Sequence, residues 1–169
     1  MNYVKIPVQF APLMVRDIGR RKYRPAKPEE IMSHAAQLHE QKLVGSCLNS
    51  PRSTLDYLTA KLRPLEYECF VMITLDARMR VIACHEMFRG SVSQAVIHQR
   101  EVIKQALVDN ASNVVLAHNH PSGDPEPSPA DELMTTRIRE ALTLVEVRLL
   151  DHIVIGADRY ASFAEMGRL

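Results

Sequence analysis

Residues 113–131 read NVVLAHNHPSGDPEPSPAD, and this stretch sets both the fold and the chemistry expected of the chain. NVVLA is a short, continuous apolar run without polar alternation, which suits a strand covered on both faces. His118 and His120 stand two residues apart at its end. In strand geometry their imidazoles project to one face and Asn119 projects to the other. The segment that follows carries Pro121, Gly123, Pro125 and Pro127, a stiff, turned loop that folds the chain back on itself. Ser128-Pro129-Ala130-Asp131 then opens a helix at the strand's end. Two imidazoles and one carboxylate form a ligand set that holds a zinc ion and leaves a fourth position for water. The same helix start is also a capping box, with Ser128 at the N-cap, Pro129 at the first helical position and Asp131 at the third. Ligand and cap are both open readings of Asp131.

Working outward, residues 1–27 are broken by Pro7, Pro12, Gly19 and Pro25 and suit a short arm or hairpin. PEEIMSHAAQLHEQKL (28–43) predicts a helix, with Pro28 first and Glu29 and Glu30 in the opening turn. Ile31, Ala35 and Leu38 recur on it at helical spacing. Residues 45–51 form a linker. A second helix is expected over 53–63, capped by Ser53 with Asp56 three residues on. From residue 67 the composition changes. YECFVMITLD (67–76) and MRVIACHEMF (79–88) are rich in aromatic and β-branched residues and predict a hairpin. A helix follows over 94–109, with Val96, Val102, Ile103, Ala106 and Leu107 on its inner side. The helix from Ser128 to Val145 turns Leu133, Ile138, Leu142 and Val145 inward, and VRLLDHIVIG (147–156) is a fourth strand. The tail holds a short strand or helix. A hairpin followed by α, β, α, β predicts an α/β sandwich, three-layered, with a mixed central sheet flanked by helices. Residues 1–52 are then an arm and helix, and 53–169 the main domain.

The length suits one compact domain with an appendage. No apolar run approaches the ~20 residues of a membrane helix, and no secretory signal opens the chain, so no membrane association and a cytoplasmic location are expected. Cys47, Cys69 and Cys84 are an odd count without a CxxC pair, which fits a reducing compartment better than a disulfide framework, and Cys69 and Cys84, inside apolar strand-like runs, read as buried free thiols ahead of catalytic cysteines. With a net charge of +1 the chain has no general affinity for polyanions. The one local bias is Arg20, Arg21, Lys22, Arg24 and Lys27, either a solvated surface or a contact for nucleic-acid phosphates. The eight methionines are dispersed and suit core filling.

Hydrolysis at a zinc site needs a base that takes a proton from water and passes it to the leaving group. The candidates are Glu68 at the head of the first long strand, Glu86 near the end of the second, and Glu101 on the following helix. His152 sits in the fourth strand, where it either hydrogen-bonds a ligand from behind or serves as a core residue bonded to backbone. His34, His39, His85 and His98 read as surface or structural residues.

The spacing H-x-H, seven residues, Ser, two residues, Asp resembles the signature of the JAMM (MPN/JAB) metalloprotease superfamily. The closer resemblance, over about residues 53–169, is to its RadC-like branch. It rests on HNHPSG with P-S-x-x-D, Arg100-Glu101-Val102, Ala106-Leu107, the hairpin FVMITLDARMRVIACHEMFRGS and the segment Leu149–Gly156. The beginning of the chain is similar to short RadC-like proteins of plasmids, phages and integrated elements. The resemblance implies a cytidine-deaminase-like α/β sandwich. It implies Zn2+ held by His118, His120 and Asp131, Glu68 as the catalytic base, and Ser128 as a helper on the oxyanion side. It further implies a metallopeptidase or isopeptidase with a peptide or protein substrate. Alternatives are a DNA-repair-associated role on nucleic acid, in keeping with the branch's traditional label, and an inactive metal-binding interaction module. Residues 1–52 show no G-x-G hairpin of the helix-hairpin-helix type that full-length RadC-like proteins carry.

Overall fold

The computed structural model describes residues 13–17, 22–44, 51–90 and 98–169. Within them the chain runs β1 (Met14–Asp17), β2 (Lys22–Pro25), α1 (Pro28–Leu43), α2 (Pro51–Leu62), β3 (Glu68–Leu75), β4 (Val81–Gly90) and α3 (Gln99–Val108). It continues through β5 (Asn113–Asn119), α4 (Pro129–Thr143), β6 (Arg148–Ile155) and β7 (Tyr160–Ser162). β1 and β2 form a separate antiparallel hairpin, and the other strands form one sheet in the order β4-β3-β5-β6-β7. β5 and β6 pair in parallel and the other neighbouring strands of this sheet pair antiparallel, so the sheet is mixed. The apolar run of β5 takes the central position and is buried along its whole length, as its lack of polar alternation predicts.

Alternation along the strands divides the core in two. Val71, Ile73, Val115, Ala117, Ile153 and Ile155 pack with Tyr57, Leu58 and Leu62 of α2 on one face. Phe70, Met72, Val114 and Leu116 pack with Val102 and Ala106 of α3 and Ile138 and Leu142 of α4 on the other. α1 packs on α2. The result is the expected three-layer α/β sandwich.

Several local expectations are corrected. α2 begins at Pro51, so Ser53 and Asp56 lie inside the helix and Ser53 is not its N-cap residue. The helix expected from Gln94 begins at Gln99, because the His98 backbone is extended (φ −72°, ψ 109°). Residues 94–97, with Val96, lie outside the described residues, as do Cys47, Arg20 and Arg21. Leu107 and Leu133 are more than half exposed. Ala106 takes the buried position beside Leu107 in α3, and Asp131, Thr135, Ile138 and Leu142 form the buried stripe of α4, which leaves Leu133 on the outer side. Met72 is core, whereas Met14, Met32 and Met166 are exposed. Cys69 is buried, Cys84 is partly buried and neither forms a disulfide.

One irregularity positions the site. The β5–β6 register shifts between Val114 and Val115, so that Val114 faces Leu149 and Val115 faces Asp151. The extra residue, Leu150, reverses the alternation of β6. Leu149 packs on the α3/α4 side, yet Ile153, four residues on, packs on the α2 side. The bulge thus turns His152 toward α4, on the same face as Leu116, its partner in β5.

Candidate metal centre

β5 ends against the start of α4, and three side chains meet there. Phe70 of β3 pairs with His118, which places both rings on the α4 face of the sheet. His120 follows on the same face. The loop that brings Asp131 back is pinned to the end of β6, where Ala157 N donates to Gly123 O (3.0 Å) and His120 N donates to Ile155 O (2.9 Å). A side chain at Gly156 would not fit, since a Cβ there would stand 2.5 Å from Gly123 O and 2.8 Å from Pro125 Cδ.

His118 Nε2 and His120 Nε2 face each other at 3.0 Å. Asp131 Oδ1 lies 3.4 Å from His118 Nε2, and Asp131 Oδ2 lies 3.6 Å from His120 Nε2. A regular tetrahedron with zinc–nitrogen or zinc–oxygen bonds of ~2.05 Å has edges of about 3.3 Å, so the His118–His120 and His118–Oδ1 separations are near those of atoms that share one zinc. Among the described residues this is the one group of three or more His, Cys, Asp or Glu side chains whose ligand atoms come together in this way.

The hydrogen bonds divide the two readings of Asp131 between its two oxygens. Oδ2 accepts from Ser128 N (2.8 Å) and Ser128 Oγ (2.6 Å), and Asp131 N donates to Ser128 Oγ (3.2 Å), a complete capping box. Oδ1 is buried with no hydrogen-bond partner. A buried carboxylate oxygen left this way is costly unless a cation occupies the point it faces. The donor set and this orphaned oxygen fit a divalent metal.

The ionisation of the cluster follows from the same crowding. Burial pushes the His118 imidazole down to about 4. The Asp131 carboxylate beside His120 raises the affinity of that imidazole for a proton, and the Glu68 charge adds to the effect. Burial works against ionisation of Asp131, but His120, His118 and Ser128 outweigh it and hold the carboxyl well below the usual range. Burial drives His152 well below the ordinary histidine value.

The three candidate bases separate by position. Glu68 lies two residues before Phe70, on the face shared with His118 and His120, close enough for its charge to act on His120. It also lines an open cleft with Tyr67, Gly90, Pro121 and Ser122. Glu86 pairs in register with Val71 and forks onto Arg89, and its charge acts on Cys69 in the α2-side core, so it belongs to the opposite face. Glu101 is half exposed on α3 beside Arg100 and Lys104. The Ser128 hydroxyl hydrogen goes to Asp131 Oδ2, so in this arrangement Ser128 orients the carboxylate.

Two residues carry more than the sequence suggested. Asn119 turns away from the histidines, and its amide closes on the chain leading into β3. Oδ1 accepts from Cys69 N (2.8 Å), and Nδ2 donates to Tyr67 O (2.9 Å) and Leu65 O (3.3 Å). This clasp brackets Glu68. Thr135, one turn after Asp131, reaches His152 at 2.6 Å. The strand alternation already sets Asn119 apart from the histidines; nothing in the sequence pattern marks Thr135. His85 pairs with Asp109 at 2.6 Å, a structural contact between β4 and the end of α3, and His34 and His98 are exposed. Of the basic cluster, Arg24 forks onto Glu30 at 2.8 and 2.5 Å, which neutralises much of its pull on a phosphate. No helix among the described residues is long and apolar enough to cross a membrane.

Comparison with known proteins agrees with the geometry. The chain is similar to a UPF0758 protein of Herminiimonas arsenicoxydans, 43% identical over 156 residues, covering 92% of this chain and 69% of that protein. A UPF0758 protein of Nitrosococcus oceani is 52% identical over 125 residues, covering 74% of this chain and 56% of the relative. One from a Janthinobacterium species is 46% identical over 132 residues, covering 78% and 59%. The chain thus spans between 56% and 69% of the length of these relatives. The family model described as the RadC-like JAB domain matches residues 48–168, the span that holds the whole sheet, the His118–His120–Asp131 cluster and Glu68, and on that match the chain belongs to the RadC-like JAB family.

Proposed function

We propose that this protein is a zinc-dependent hydrolase acting on amide bonds, a metallopeptidase or isopeptidase. The observation that carries the reading is the buried Asp131 carboxylate, whose Oδ1, left without a hydrogen-bond partner, lies 3.4 Å from His118 Nε2 while its Oδ2 lies 3.6 Å from His120 Nε2. His118, His120 and Asp131 would hold the ion. Bound there, zinc supplies Lewis acidity, lowering the pKa of a ligating water from 15.7 toward about 7 and polarising a carbonyl. Glu68 is the base, taking the proton from the attacking water and delivering it to the departing amine nitrogen. Its place on the cluster's own face of the sheet, at the mouth of the cleft, supports this role over Glu86 and Glu101. Ser128 fixes the Asp131 carboxylate, and the Asn119 clasp fixes the backbone on both sides of Glu68. Burial of His118 and Asp131 keeps bulk water from competing for the ligand atoms.

The test is turnover of a mixed peptide library, read by mass spectrometry, with zinc-loaded wild type, Glu68→Gln and Glu86→Gln. Wild type and Glu86→Gln should cut amide bonds, and Glu68→Gln should bind equal zinc without cutting. Full turnover by Glu68→Gln would remove Glu68 as the base. Cleavage of labelled DNA with no cleavage of peptides would move the activity to phosphodiesters.

A further inference from the structure

Behind His118 lies a second row of polar groups that no ligand set requires. His118 Nδ1 is 2.8 Å from His152 Nε2, and His152 Nδ1 is 2.6 Å from Thr135 Oγ1. Thr135 Oγ1 is 2.6 Å from Asp131 O. His118 and His152 are fully buried and Thr135 is 2% exposed, so solvent takes no part in this row.

The direction of every hydrogen in the row follows from its last member. A backbone carbonyl only accepts, and a hydroxyl has one hydrogen to give. At 2.6 Å the Thr135 hydrogen must lie toward Asp131 O. Thr135 Oγ1 can then only accept from His152, so His152 carries its hydrogen on Nδ1. Its Nε2 is therefore a lone pair, and His118 must donate to it from Nδ1. The opposite direction would leave two oxygens 2.6 Å apart with no hydrogen between them. His120 is set in the same sense by a simpler partner, the Asp124 carbonyl, 2.8 Å from its Nδ1.

We propose that the Asp131 carbonyl, Thr135 and His152 form a one-way hydrogen-bond chain that holds His118 in its Nδ1–H tautomer, so that its Nε2 lone pair is presented to the cation site before any ion arrives. Thr135 and His152 are positioning residues, acting on the ion only through His118. Asp131 contributes twice, its carboxylate to the site and its main-chain carbonyl to the chain. The tautomer is a property of the metal-free protein; its purpose rests on the zinc reading given above. Outer partners of this kind change metal affinity by about 10–100-fold.

The experiment uses the full chain, labelled with 15N-histidine, as wild type, Thr135→Val and Thr135→Ser. Two-bond proton–nitrogen correlations on the metal-free protein read the His118 tautomer, and competition with a chromophoric chelator reads Zn2+ affinity. Wild type and Thr135→Ser should show His118 protonated on Nδ1 and bind Zn2+ alike. Thr135→Val, close in volume but without the hydroxyl, should lose the uniform tautomer and bind Zn2+ about 10–100-fold more weakly. The proposal is overturned if wild-type His118 carries its hydrogen on Nε2, a result that needs no variant to fold. It is overturned equally if Thr135→Val matches wild type in both readings, or if Thr135→Ser is as impaired as Thr135→Val. A wild type with the Nδ1–H tautomer that takes up no Zn2+ would refute the zinc reading and the purpose assigned to the chain.

Discussion

Asp131→Asn separates the two duties of one side chain. The amide keeps the shape of the carboxylate, and its oxygen can still accept from Ser128 N, so most of the cap survives. Loss of an N-terminal cap costs typically ~1 kcal/mol. For a chain of this length that is about 3 °C in Tm. The proposed ligand duty is worth more. Free Zn2+ held 1,000-fold above Kd stabilises the native state by about 4 kcal/mol, which is about 12 °C here. If the loss of the charged ligand weakens binding ~1,000-fold, the same free Zn2+ only matches Kd, and the stabilisation shrinks to about 0.4 kcal/mol, or about 1 °C. The assay is calorimetric Tm for both proteins with a chelator and with buffered Zn2+. The metal-free pair should differ by a few degrees at most, and the zinc-induced rise should collapse in the variant. An equal rise in both would refute the ligand assignment and leave Asp131 a helix cap.

Further outcomes follow from the same geometry. Asn119→Ala removes three hydrogen bonds and strands the buried Cys69 amide. It should destabilise by about 1–3 kcal/mol and speed hydrogen exchange at Cys69, measurable by NMR, while zinc stoichiometry is kept. Gly156→Ala drives a Cβ into Gly123 O and Pro125. Displacing the 121–127 loop should weaken Zn2+ binding, although no ligand is altered, and unchanged affinity would show that the loop has room to yield. Burial opposes ionisation of Asp109, but bonds to Thr74, His85 and Gln105 outweigh it and lower its carboxyl below the ordinary value. A carboxyl depressed in the folded state stabilises above its unfolded value of ~3.9, and that stability is lost as pH falls through the folded value. Asp109→Asn should therefore flatten acid unfolding below about pH 4, and equally steep acid unfolding in both proteins would count against the pairing.

Much of the fold was legible because β5, the β3–β4 hairpin and α4 carry strong local signals: an unbroken apolar run, aromatic and β-branched strands, and a Ser-Pro-Ala-Asp helix start. The meeting of His118, His120 and Asp131 was legible because strand alternation and a stiff loop leave few other outcomes. Helix starts were less so. Ser53 with Asp56 has the composition of a cap, yet Pro51 opens α2, since a proline tolerated at a first turn competes with a cap two residues on. Leu107 and Leu133 were misplaced because helical spacing gives a stripe without saying where it is centred. The role of His152 depends on the β6 bulge, a register shift that side-chain periodicity does not reveal. The separation of Glu68 from Glu86 needed the pairing of β3 with β4 and β5, a long-range fact.

The alternation of His118, Asn119 and His120 also guards the sheet against mispairing. A one-residue slip of β5 would send both imidazoles into the apolar side lined by Tyr57, Leu58 and Leu62, while the Asn119 amide would face Asp131. Each face would then hold the polar groups meant for the other, and the Cys69 amide and Tyr67 carbonyl would lose the partner that satisfies them. A wrong alignment is thus penalised on both sides of the sheet at once, and the tripeptide works as a register lock with or without a bound ion.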